Sequence, residues 1–195
     1  LASRTADIQA DPDIRFTNVV ISGKTLNELS KIIPDQNTMV DIVVADNQVL
    51  FKIDLFYSLI LDGTYPDTSK VIPQNYKTEL ILDTKKLIDA IDRAYLLSRE
   101  DKTNIVRLQT KEDGTIEISS SSSELGRVTE QLHVKEFKGD PLRIAFNSKY
   151  MLDVLKVVEC ENIFIGFTGA MSPIIIKQTE HVSSLHLILT YRTTN

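Results

Sequence analysis

The chain of 195 residues carries one segment three times over. A repeat limits the available folds more tightly than composition can. Asn18 to Ile33 reads NVVISGKTLNELSKII, and Arg143 to Val158, 125 positions later, reads RIAFNSKYMLDVLKVV. The register continues without a gap. Met39, Val40 and Ile42 lie over Phe164, Ile165 and Phe167, and Val49-Leu50-Phe51-Lys52 over Ile174-Ile175-Ile176-Lys177. A weaker copy, LILDTKKLIDAIDRAY from Leu80 to Tyr95, sits between them at an offset of 62.

Each copy opens on a short apolar run and a capping-type residue, Ser22, Asp83 or Asn147, followed by a helical pattern. The apolar columns are Leu26/Ile88/Met151, Leu29/Ile91/Val154, Ile32/Ala94/Val157 and Ile33/Tyr95/Val158. At 100° per residue they form one stripe, which must pack on something. Three strand-like segments follow each helix: 38–45, 48–54 and 56–61; then 103–110, 115–120 and 125–134; then 162–168, 172–178 and 183–190. Asp46-Asn47 and Glu112-Asp113-Gly114 supply turns. The unit is therefore β-α-β-β-β, and two units side by side predict a helix pair on a continuous sheet.

Asp62 to Tyr76, with Pro66 and Pro73, separates the first unit from the others and reads as an extended interdomain linker. The expected division is residues 1–61 as half a domain, 62–76 as linker and 77–195 as one complete domain. The mate of the first unit would lie upstream of Leu1, which is not Met, so the expectation is a piece of a longer protein.

Two columns are basic in all three copies: Lys24/Lys86/Lys149 and Lys31/Arg93/Lys156. Positions i and i+7 lie two turns apart and nearly eclipsed, about 150° from the apolar stripe. Within residues 23–33, 85–97 and 148–158 there are seven basic and four acidic side chains, against fifteen and twenty-three in the rest of the chain. A positive helical face on an acidic body suits a polyanion held loosely. A solvated helix face with Lys24–Glu28 and Lys149–Asp153 pairs fits the same periodicity.

The formal net charge of −5 argues against a conventional high-affinity nucleic-acid binder, though not against a local basic face. Cys160 is the only cysteine, which excludes an internal disulfide and any multi-cysteine metal site. His133, His181 and His186 are scattered, and no metal or cofactor is expected. A reducing, cytoplasmic setting is the economical expectation. No apolar run reaches the ~18 residues of a membrane span, and no signal-peptide pattern opens the chain. Neither a nucleophile elbow nor a Gly-rich phosphate loop is present, so catalytic residues are not assigned. Cys160 reads as a small apolar residue, and Asp89 and Asp92 as solvated carboxylates. Ser119 to Ser123 reads as a polar strand end and loop, with a phosphorylated cluster as the sharper alternative.

Two motifs carry a family resemblance. Leu61-Asp62-Gly63-Thr64-Tyr65-Pro66-Asp67, continuing to Lys70-Val71-Ile72-Pro73, resembles the linker into the last domain of the bacterial DNA polymerase III β subunit, the sliding clamp. Asn147-Ser148-Lys149-Tyr150-Met151-Leu152-Asp153-Val154-Leu155, followed by Cys160-Glu161-Asn162, is similar to that family's final inner helix. The resemblance covers the whole chain. It implies an α+β DNA-clamp fold of repeated β-α-β-β-β units, with helices on one face of antiparallel sheets. It further implies a non-catalytic processivity factor, with two chains closed head to tail around duplex DNA, which is held topologically and without sequence preference.

By the same resemblance Lys24, Lys31, Lys86, Arg93, Lys149 and Lys156 would face phosphates, and Leu96 and Leu97 a subunit interface. Ordinary core is the alternative for that leucine pair. DNA polymerase, clamp-loader subunits and repair proteins would dock short peptide motifs in a pocket lined by Leu1, Pro66, Lys70, Val71, Leu187, Leu189, Tyr191 and Arg192. The C-terminus departs from the family pattern, with Thr190-Tyr191-Arg192 where Pro, an aliphatic residue and Arg are usual. A β-rich interaction scaffold that never meets DNA is the alternative function, and an unrecognised enzyme a weaker one.

Overall fold

Each expected helix begins at its expected cap, because Ser, Asp and Asn side chains satisfy amide groups that the first helical turn leaves without partners. Ser22 Oγ accepts from Thr25 N at 3.1 Å, Asp83 Oδ1 from Lys86 N at 2.9 Å, and Asn147 Oδ1 from Lys149 N at 3.0 Å. The computed structural model describes residues 1–5, 19–34, 39–45, 47–53, 56–61, 67–179 and 184–192. In chain order the elements begin with β1 (Ala2–Arg4), α1 (Gly23–Ile32), β2 (Ile42–Val44), β3 (Gln48–Phe51) and β4 (Phe56–Leu59). A single 3₁₀ turn at Thr68–Lys70 precedes β5 (Thr78–Asp83), α2 (Thr84–Glu100), β6 (Ile105–Thr110), β7 (Thr115–Ser122) and β8 (Gly126–His133). Then follow β9 (Glu136–Gly139), β10 (Arg143–Asn147), α3 (Ser148–Leu155), β11 (Asn162–Phe167), β12 (Ile174–Gln178) and β13 (Ser184–Ile188).

The chain divides into two bodies, Leu1–Asp7 with Lys70–Asn195, and Ile8–Ser69. The N-terminal segment therefore belongs to a different body from the rest of the expected stretch 1–61. Its strand β1 pairs with β13, Ala2 opposite His186, a long-range contact that no local pattern announces. The 3₁₀ turn also departs from the expected extended linker. Proline constrains itself and the residue before it, here the Tyr65-Pro66 and Ile72-Pro73 pairs, so Thr68–Lys70 are free to turn. Residues 62–66 of that linker lie outside the described residues.

In the larger body the two copies exchange strands. The strand leading into α2 pairs with the other copy, β5 against β11, and the strand leading into α3 does the same, β10 against β6. The result is a six-stranded antiparallel sheet, β1-β13-β12-β11-β5-β9, and a four-stranded one, β10-β6-β7-β8. One continuous sheet was expected. The two meet instead at the Phe146–Thr190 bridge, where Tyr191 N donates to Ala145 O at 2.7 Å. A single apolar cluster joins them, with Leu82, Leu87, Ile91 and Leu108 from one copy and Phe146, Met151, Leu155 and Ile165 from the other. Helices α2 and α3 pack against each other over it, and Ser98 Oγ lies 3.5 Å from Ser148 Oγ. The architecture is α+β.

The smaller body holds the first copy alone. Leu29, Val49, Phe51 and Ile53 form its core between α1 and the sheet β2-β3-β4. Its apolar stripe is only half used. Leu26 is 47% exposed, whereas its counterpart Met151 is 1% exposed, and Ile32 and Ile33 are also exposed. Among the described residues no second copy exchanges a strand with this one. The strand alternation placed Asp46-Asn47 at the β2–β3 turn. Asp46 lies outside the described residues, and Ala45 N donates to Gln48 O at 2.8 Å across that turn.

Strand β9 had no sequence signal, because all four of its residues are exposed. It is held on the outer edge of β5 by a close backbone approach at Gly139, whose φ is +98°. A Cβ there would collide with the Lys77 carbonyl oxygen. Gly139→Ala is expected to lower stability by about 2 kcal/mol or more, since left-handed strain adds to a backbone clash. Denaturant unfolding of the two chains measures the difference.

Candidate nucleic-acid face and apolar cleft

All six cations of the two basic columns are exposed, and in α2 and α3 they stand away from buried Leu87, Ile91, Ala94, Met151 and Leu155. The stripe and the cations thus occupy opposite sides, as helical spacing requires. Their availability differs. Arg93 grips Glu130 of β8 through two bonds, Nε–Oε1 at 2.6 Å and Nη2–Oε2 at 3.0 Å. The paired guanidinium holds the Glu130 carboxyl below its ordinary range and raises that of Arg93. Lys31 pairs with Glu28 at 2.8 Å, which lowers the Glu28 carboxyl. The expected i,i+4 pairs Lys24–Glu28 and Lys149–Asp153 do not form. Among the described residues Lys86, Lys149 and Lys156 have no carboxylate partner, and Lys24 makes no ion pair but stands near enough to Glu28 to help lower its carboxyl. Lys156 is the C-cap of α3 rather than an interior position, because the helix ends at Leu155 and leaves Val157 exposed.

Leu96 is 49% exposed and Leu97 half-buried, and neither belongs to the core cluster. Both lie toward the C-terminal end of α2, a helix that packs on the open edge strand β8, which has a neighbour on one side only.

A second feature is an apolar cleft of about 730 Å³ in the larger body. Four of the expected pocket residues line it: Leu1, Leu187, Leu189 and Tyr191. Lys70, Val71 and Arg192 are not among its lining residues, and Pro66 lies outside the described residues. The wall that sequence reasoning missed comes from α3, where Tyr150 and Val154 stand one turn apart with Asp153 between them. The sequence signal was the Tyr150/Val154 i,i+4 pair, obscured because Val154 was assigned wholly to the sheet-facing stripe. Alternation along a strand would send Leu187 and Leu189 to one face and Ile188 to the other, which does not hold at the end of β13. Leu187, Ile188 and Leu189 all reach the cleft, because the chain leaves one sheet after Ile188 and crosses to the other at Thr190. Leu187 is 6% exposed and forms the floor, while Leu189 is 67% exposed at the mouth. Leu1 is fixed to Leu187 by backbone bonds of 2.8 and 3.0 Å. Behind them, His186 is buried, and burial pushes its imidazole below the ordinary range. Near neutral pH the strand that carries the cleft therefore holds no buried charge.

Cys160 is half-buried against the core and its thiol donates to Asn162 O at 2.9 Å, a packing role. Asp89 and Asp92 are exposed. Among the described residues no group of three His, Cys, Asp or Glu side chains could hold a metal ion, and no helix is long and apolar enough to cross a membrane.

Residues 69–192 match the DNA polymerase III beta subunit, C-terminal domain, and residues 1–67 its central domain. The chain belongs to the DNA polymerase III beta subunit family. It is 49% identical over 195 residues to the beta sliding clamp of Bacillus subtilis, covering 99% of this chain and 51% of the relative. Against the beta sliding clamp of Halalkalibacterium halodurans the identity is 45%, over 99% of this chain and 52% of the relative. The crystal structure of the DNA polymerase sliding clamp from B. subtilis superimposes with a TM-score of 0.93, again over 99% of this chain and 51% of that one. The beta subunit from the DNA polymerase of Streptococcus pyogenes, 30% identical, gives 0.88 over 95% of this chain and 51% of that one. The chain thus spans about half the length of these beta subunit relatives. The DNA-clamp fold inferred from the sequence is the fold of this family.

Proposed function

We propose that the chain is part of a sliding clamp, a non-catalytic processivity subunit that surrounds duplex DNA and tethers the polymerase to it. The observation that carries this reading is the set of exposed lysines that make no ion pair among the described residues, Lys24, Lys86, Lys149 and Lys156, with those of α2 and α3 set opposite a buried helix side. Charges of this kind attract phosphates without reading bases, and solvated ammonium groups hold a phosphate as point charges. A clamp needs that weakness, because tight or sequence-selective contacts would stop it from sliding. Lys31 and Arg93, each on the exposed side of its own helix, must first leave Glu28 and Glu130. In the whole protein two chains would close head to tail, with Leu96, Leu97 and the free edge of β8 at a subunit interface.

The apolar cleft supports the second half of the function. An extended peptide with bulky side chains would place them between Tyr150 and Val154 on one side and Leu187 and Leu189 on the other. Polymerase, clamp-loader and repair proteins are the partners this implies, through short motifs containing Leu and Phe. The division into half of a central domain, a linker and a complete C-terminal domain belongs to the same proposal.

Two measurements test it. Duplex binding, titrated at several salt concentrations, should be no tighter than the non-specific range of about 10⁻⁴ to 10⁻⁶ M. Its log–log salt slope should be no steeper than about −4, as for four phosphate contacts rather than six. Nanomolar, sequence-selective binding contradicts a clamp. For the cleft, calorimetry should detect a short Leu- and Phe-containing peptide at micromolar affinity or weaker, about −8 kcal/mol or less favourable. Leu189→Asp, at an exposed position, should leave the fold intact and weaken the peptide at least ~tenfold by placing an unpaired charge in an apolar cleft. Equal binding by the folded variant would put the peptide site elsewhere.

A further inference from the structure

The four-stranded sheet has a second face, turned away from α2, and its chemistry is unlike the rest of this acidic chain. Val106, Leu108, Ile116 and Ile118 point into the core, so the pleat sends Arg107, Glu117, Ser119 and Ser121 outward. The strand register then gathers three arginines around small side chains. Arg107 lies opposite Ser119 on one neighbour and Ala145 on the other, and Ser121 lies opposite Arg127. Arg143 stands one step along β10, opposite Gln109. Together they line a polar cup of about 160 Å³.

Serines on the floor make the cup concave, and long arginine side chains make its walls. The single carboxylate, Glu117, is already held by Lys111 at 3.0 Å and Arg127 at 3.6 Å. Among the described residues neither Arg107 nor Arg143 has a carboxylate partner. The lining carries three cations and one anion, and two guanidinium forks remain unused. The five-serine run bears on this as well. Ser119, Ser120 and Ser122 are buried within β7, and Ser122 Oγ donates to Asp101 at 2.9 Å. Ser119 and Ser121 therefore stand on the cup side of β7, and Ser122 on the other.

We propose that this cup binds one phosphoryl group, carried by free phosphate or by a phosphorylated side chain. A phosphate monoester has a charge of about −1.5 to −2 near neutral pH and three acceptor oxygens. That matches a net of two positive charges, guanidinium forks suited to two oxygens at once, and hydroxyl donors below. The cup is too small and too isolated for a run of nucleic-acid phosphates. It also lies on the sheet face opposite the one covered by α2, so it goes beyond the clamp function.

The test is an NMR titration of the 195-residue chain with inorganic phosphate, and separately with a phosphoserine peptide that is otherwise uncharged. Both should give saturable shifts centred on the Arg107, Ser119 and Ser121 amides, beyond those from chloride at equal ionic strength. Arg107→Gln and Arg143→Gln should each weaken binding about tenfold. Ser119→Glu should abolish it by filling the cup with a carboxylate, and Lys138→Gln should change nothing. Amides of the apolar core in the same spectra report that each variant is folded. Either probe binding through the arginines supports the site, and the tighter one identifies the source. Shifts no larger than those from chloride, or unchanged by both arginine variants in folded protein, overturn the proposal.

Discussion

The exchange of lead strands between two copies of the repeat is the constraint on which the rest of the larger body depends. With β5 paired to β11 and β10 to β6, neither copy can complete its sheet without the other. The exchange places Leu80, Leu82, Ile144 and Phe146 in one cluster with residues of both helices. Each fully buried side chain of this size contributes about 1.5–3 kcal/mol, far more than an exposed ion pair. Packing therefore sets where α2 and α3 lie, and the charges follow. The first copy shows the reverse case, because among the described residues no second copy exchanges a strand with it and its Leu26, Ile32 and Ile33 stay exposed.

That division of labour explains how an acidic chain presents a basic surface. Core contacts absorb the apolar stripe, so cations on the other side of each helix are free to vary their partners. Some pair with local carboxylates, as Arg93 does with Glu130, and others stand open, as Lys86 and Lys149 do. Surface pairs of this kind are weak and salt-sensitive, so a phosphate can compete for the same guanidinium. The crossing from β13 to the Phe146 bridge has a similar double use. It closes the space between the two sheets and, beside α3, leaves the apolar cleft.

Much of this was legible in the sequence because it is local. The caps at Ser22, Asp83 and Asn147, the apolar stripe, the Glu112-Asp113-Gly114 turn and the outward cations all follow from spacing along one chain segment. In that turn Asp113 accepts from Thr115 N at 3.0 Å and Gly114 has φ +76°, the chemistry the residues imply. What was not legible depends on pairing at a distance. The strand exchange, the docking of β1 on β13 and the edge strand β9 leave no periodic trace. The cleft was half found for the same reason. Its strand residues Leu187, Leu189 and Tyr191 lie close together in the sequence, but Tyr150 and Val154 become a wall only once α3 is set beside β13. Ion pairing across elements was equally hidden, and nothing in the spacing of α2 joins Arg93 to Glu130.

The central claim is that the exposed side of the helix pair, and not the sheet surface, meets nucleic acid. Site-specific photo-crosslinking tests it most directly, with a photoreactive residue placed in turn at Lys86, Lys149, Lys111 and Lys138 and the chain incubated with duplex DNA at low salt. The account predicts crosslinks from Lys86 and Lys149 that fade as salt is raised, and background levels from Lys111 and Lys138. Crosslinks of equal or greater yield from the two sheet positions would contradict it.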